Sequence, residues 1–95
     1  MSKELISFVL AGKNRINVLL TLSENTLTPA QILKKANYTY LTHIIRTLKE
    51  LSKVELIECV NPESRSYKFY KITQKGKKVI KEVIKIKNEI NKKLI

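Results

Sequence analysis

Apolar positions recur along this chain in two rhythms, one of three to four residues and one of two, and the change between them outlines a fold. Over residues 3–22, KELISFVLAGKNRINVLLTL, the apolar positions Leu5, Phe8, Val9, Ile16, Leu19, Leu20 and Leu22 keep helical spacing. Ala11-Gly12 interrupts them. Glycine weakens a helix interior by about 1 kcal/mol relative to alanine, so the segment bends there or splits in two. Ser23-Glu24-Asn25 marks the stop. A second helix starts at Thr28, where threonine is the N-cap, Pro29 takes the first helical position and Gln31 completes a capping box. It covers 29–36 and turns Ile32, Leu33 and Ala36 inward, and Asn37-Tyr38 makes the turn after it.

A third helix runs from Thr39 or Tyr40 to about Ser52. At 100° per residue its apolar face holds Leu41, Ile44, Ile45, Leu48 and Leu51. The opposite face holds Thr39, Thr42, His43, Arg46 and Glu50, with Thr47 and Lys49 on the flanks. Two short amphipathic helices separated by a few residues read as a helix-turn-helix over 28–52.

The rhythm then shortens. In Leu56–Val60, Ile57 and Cys59 share one face, and Glu58 and Val60 the other, as in a strand. Asn61-Pro62-Glu63-Ser64 is a turn by composition, and Ser66–Ile72 returns as a second strand. Residues 56–72 therefore form a β-wing with Arg65 near its tip. Thr73-Gln74-Lys75-Gly76 opens a last helix over 74–95, whose broad apolar arc holds Val79, Ile80, Val83, Ile84, Ile86, Ile90 and Leu94. The fold expected is mainly α with a small β-hairpin, a winged helix-turn-helix with a long C-terminal helix. Ninety-five residues suit one such domain over 1–95.

Charge sharpens this picture. Nineteen Lys and Arg stand against eight Glu and no Asp, a net charge of +11. Residues 1–64 carry eight basic and six acidic groups, whereas 65–95 carry eleven basic and two acidic. Such an excess attracts a polyanion, nucleic acid above all. Sixteen Lys, twelve Ile and seven Asn also fit a compositional bias, but a bias leaves the asymmetry unexplained. The polar face of the third helix suits base edges and phosphates, and it equally suits plain solvation. Arg65 at the wing tip invites the same two readings.

Other chemistry finds little support. Cys59 is alone, which excludes a disulfide framework or cysteine-based metal site within one chain. His43 is the only histidine and has no catalytic partners marked around it, so neither enzymatic activity nor a cofactor is expected. Only Gly12 and Gly76 are present, too few for a phosphate-cradling loop. No apolar run is long enough to span a membrane, and the amino terminus lacks the core of a signal peptide; a soluble, cytoplasmic protein is expected. The lysine-rich last helix lacks the Trp and Phe anchors of a membrane-surface helix.

The segments ISFVLAGKNRINVLLTL, TPAQILKKA, LTHIIRTLKEL, VELIECVNPES and YKITQKGKKVI cover most of the chain. In them it resembles archaeal winged-helix transcriptional regulators of the MarR-like and ArsR-like superfamily. RTLKEL followed by a short turn and LIE, and the YKIT-x-KGKKV segment after the wing, are the more specific parts. The resemblance implies a recognition helix carrying Thr42, His43, Arg46 and Thr47, a wing carrying Arg65 and its neighbours, and a terminal helix that mediates dimerisation. Metal sensors of that superfamily use sets of Cys, His and Asp that this chain lacks, so no metal is expected, and because its effector-binding members are longer, no small-molecule effector is evident.

The reading is thus a homodimeric, sequence-specific regulator of double-stranded DNA. Expected DNA contacts are Thr28, Thr39, Thr42, His43, Arg46, Thr47 and Lys49 from the helix-turn-helix, and Ser64, Arg65 and Lys68 from the wing. Expected dimer contacts are Val79, Val83, Ile86, Ile90 and Leu94. The alternatives are a winged-helix protein-interaction module of a transcription or replication assembly, and a non-specific nucleic-acid binder.

Overall fold

A computed structural model describes residues 3–36 and 40–94, with side chains as far as Lys92. Five helices and one hairpin follow in the order α1 (Lys3–Leu10), α2 (Lys13–Leu22), α3 (Pro29–Lys35), α4 (Leu41–Lys53), β1 (Ile57–Cys59), β2 (Tyr70–Ile72) and α5 (Gln74–Leu94). Ala11-Gly12 splits the first helical segment, and α1 and α2 meet at 103°. That angle lets α1 pack on α5 while α2 packs on α4. No single helix among the described residues is long and apolar enough to cross a membrane.

α3 begins as its sequence dictates. The Gln31 amide donates to Thr28 Oγ1 at 3.3 Å, and the Thr28 amide donates to Gln31 Oε1 at 2.9 Å. This reciprocal box satisfies two of the donors that a helix start leaves open. α4 ends in a Schellman turn: the Glu55 amide donates to Ser52 O and the Leu56 amide to Leu51 O, both at 3.0 Å. The expected turn at Asn37-Tyr38 lies outside the described residues.

The wing strands are shorter than the alternation predicts. They pair antiparallel only as Ile57 with Ile72, Glu58 with Lys71 and Cys59 with Tyr70. Ile57 and Ile72 are buried, which settles the inner face of both strands. Leu27 adds a third edge, exchanging hydrogen bonds of 2.8 and 3.0 Å with Tyr70. Beyond the paired residues the Asn61 side chain takes over, accepting from the Phe69 amide at 2.8 Å and donating to Tyr67 O at 2.6 Å. The Val60 amide also donates to Phe69 O at 2.9 Å, but residues 66–69 form no regular strand.

One core unites these elements, drawing Val9, Leu19, Ile32, Ile44, Leu51, Leu56 and Val83 from six different segments. Val79 and Val83 are completely buried in it. This corrects their expected place in a dimer contact, because α1 and α2 of the same chain already cover this part of α5.

Candidate nucleic-acid interface

α4 buries Ile44, Thr47, Leu48 and Leu51, an arc centred on Ile44 and Leu48. Thr42, His43, Arg46 and Lys49 all point to solvent, as the helical projection predicts. Leu41 and Ile45 differ from that projection, remaining 41% and 40% exposed on the flank that faces the wing. The core needs only the middle of the apolar arc, so its edge is left open.

Two residues expected at DNA are withdrawn from the surface. Thr47 is 3% exposed and its hydroxyl donates to His43 O, one turn earlier, at 2.9 Å. Thr28 is 8% exposed and its hydroxyl caps α3. In both cases a local backbone acceptor or donor satisfies the threonine, a habit of short hydroxyl side chains in and beside helices. Thr39 lies outside the described residues. His43 packs edge-on against the Tyr40 ring, with centroids 5.6 Å apart.

The wing brings Arg65 and Lys68 to solvent. Ser64 is half-buried in the tip turn, where its amide donates to Asn61 O at 3.0 Å. Between the wing and α4 lies an open groove of about 420 Å³ whose walls include Pro29, Leu41, Ile45, Arg65, Tyr67 and Lys68. No acidic side chain lines it among the described residues. Tyr70 lies at its base, and burial, with a smaller push from Cys59, raises the phenol above its ordinary value of 10.0. The ring is therefore uncharged at neutral pH, and the groove keeps a wholly non-negative lining.

On the other flank of α4 sits a second open groove of about 300 Å³, formed by Gly12–Arg15 with Arg46, Thr47 and Glu50. Here the sequence reading missed Arg15. Its guanidinium pairs with Glu50 at 3.2 Å, donates to Phe8 O at 2.6 Å and lies 3.8 Å above the Phe8 ring. Arg15 thus ties α1 and α2 to α4. It also neutralises the one acidic group on α4, so the exposed face of that helix is net positive. Nothing in the spacing of residues 8, 15 and 50 marks this cluster.

No protein-family model matches the sequence, and no curated protein does. Solved structures do match. The chain superimposes on a MarR-family transcription regulator with a TM-score of 0.69 and 25% identity, over 86% of this chain and 54% of that one. On FabT of Streptococcus pneumoniae, solved in complex with DNA, it reaches 0.68 at 20% identity, over 87% and 59%. It also matches a homodimeric winged helix-turn-helix DNA-binding domain from Mycobacterium bovis, a candidate ArsR-family regulator, with 0.67 at 19% identity over 95% and 79%.

This chain has the winged helix-turn-helix fold. Its structural neighbours are MarR-family and ArsR-family transcription regulators, and it spans only a little over half the length of the first and of FabT. In that fold α3 and α4 form the helix-turn-helix and the β1–β2 hairpin forms the wing. Among the described residues no group of three or more His, Cys, Asp or Glu is placed to hold a metal ion.

Proposed function

We propose that the chain is a sequence-specific regulator of double-stranded DNA that acts as a homodimer. The observation that carries this reading is the open groove between α4 and the wing, which Arg65 and Lys68 flank and no acidic side chain lines among the described residues. Thr42, His43, Arg46 and Lys49 are exposed along α4, Arg65 and Lys68 are exposed on the wing, and Arg15 pairs with Glu50. Each recognition helix would enter a major groove, with the two half-sites roughly 34–36 Å apart, while the wing meets the backbone or minor groove. The neighbours solved with DNA and as a homodimer support the same reading.

One observation favours a second reading, a winged-helix module that binds protein: Leu41, Ile45 and Tyr67 expose apolar surface on the same side. Salt separates the two. Fluorescence anisotropy on a duplex from upstream of the chain's own gene, titrated with salt and excess random duplex, should show binding that weakens steeply with salt yet survives the competitor. Binding erased by random duplex points to a non-specific binder. Absence of binding at low salt moves the protein-module reading to the front.

A further inference from the structure

The groove between α4 and the wing combines basic and aliphatic side chains. Its lips are basic, at Arg65 and Lys68, yet its wall on the recognition helix is aliphatic. Leu41 and Ile45 lie one helical turn apart on that wall, each about 40% exposed, and neither is needed to close the core. On the opposite wall Tyr67 is 70% exposed. A purely electrostatic phosphate seat has no use for such side chains, and their exposure to water is unfavourable.

We infer that this groove seats one strand of the duplex, and that Leu41 and Ile45 read the C5-methyl groups of thymines on that strand. This rests on the proposed DNA reading. If α4 lies in the major groove and the wing reaches the next minor groove, the strand separating those grooves passes between them. Its phosphates then meet Arg65 and Lys68. The wall formed by Leu41 and Ile45 faces the base edges from within the major groove. Among those edges the thymine methyl is the one apolar group on offer. Charge complementarity selects a nucleic-acid strand as the occupant, and the aliphatic wall selects thymine within it.

The test removes the methyl and nothing else. Probes are alternating dA·dT duplexes of about 24 base pairs, long enough for two half-sites one turn apart, and their dA·dU counterparts. Each methyl buried against an aliphatic side chain is worth about a fourfold change in affinity. With one such contact per protomer, the wild-type homodimer should therefore bind dA·dT roughly fifteenfold more tightly than dA·dU. Leu41→Ala with Ile45→Ala should bind the two duplexes equally, whereas Ile84→Ala, also half-exposed but remote on α5, should keep the wild-type preference. Circular dichroism checks that each variant is folded. Equal, salt-steep binding of both duplexes by the wild type overturns the methyl reading and leaves the DNA reading standing. The methyl reading falls equally if the double variant loses affinity for both duplexes by one common factor. No binding of either duplex at low salt overturns both readings.

Discussion

Glu55 has φ of 61°, a left-handed conformation that side chains with a Cβ avoid, and it stands where a Schellman turn prefers glycine. Its side chain is exposed, so Glu55→Gly should remove strain without removing packing. The expected gain is about 0.5–1 kcal/mol, the strain relief less the entropy glycine adds to the unfolded chain. Thermal or urea unfolding would register it, and a loss of stability would show that the strain is absent. Gly76 presents the reverse case. A Cβ there would overlap the Leu56 carbonyl oxygen and meet Ile72 Cγ1 at 2.7 Å. Gly76→Ala should therefore cost about 1–3 kcal/mol in the same measurement. Tyr70 adds a pH dependence. Because the folded phenol keeps its proton above the unfolded value of 10.0, its contribution to stability is complete below pH 10 and is lost as the pH rises beyond it. Tyr70→Phe should flatten that alkaline decline in melting temperature; an unchanged slope would assign the decline to other groups.

The recognition helix shows what a sequence discloses and what it withholds. Its length, its capped predecessor and its buried stripe were legible because they depend on local spacing. The capping box at Thr28 and Gln31 and the break at Ala11-Gly12 were legible for the same reason. Which edge of the stripe would be covered was not, because that depends on how α2, α3 and the wing close around it. So Leu41 and Ile45 read as core but lie open, and Thr47 read as a DNA contact but is buried. The Arg15–Glu50 pair, 35 residues apart, was invisible for the same reason. Arg46→Ala should weaken DNA binding by about 1–3 kcal/mol and reduce its salt dependence. Thr47→Val replaces a buried hydroxyl by a methyl of similar size, leaves the His43 carbonyl its own helical partner, and should leave DNA affinity unchanged at a stability cost of about 1 kcal/mol. A large loss of affinity in Thr47→Val with stability intact would return this residue to the interface. Arg15→Lys should not replace Arg15, since a lysine cannot stack on Phe8 while it also bonds Phe8 O and Glu50. Its loss should appear as reduced stability and weaker DNA binding together.

At the scale of the whole molecule, α5 carries one apolar stripe with two fates. Val79, Val83, Ile86 and Ile90 follow one another at spacings of four, three and four residues, along a single face. α1 and α2 bury the first two completely, Ile86 is half-buried, and Ile90 is 51% exposed where the chain's own cover ends. The Leu94 side chain lies outside the described residues. The uncovered continuation, rather than the whole stripe, is the surface available to a second copy. Its lysines complicate the association: α5 holds eight Lys against two Glu, so two such helices repel at low salt. Dimerisation should therefore strengthen with added salt while DNA binding weakens, an opposition that a single sedimentation and anisotropy series can resolve. Ile90→Glu places a charge in the exposed stretch without touching the core. It should give a folded monomer in sedimentation, whereas Val83→Glu should not fold. The monomer loses the linkage between half-sites, so its affinity for a two-site duplex should fall by about 10²-fold, while its affinity for a single half-site is kept. If Ile90→Glu remained a dimer, the contact between the two copies would lie away from this stretch of α5.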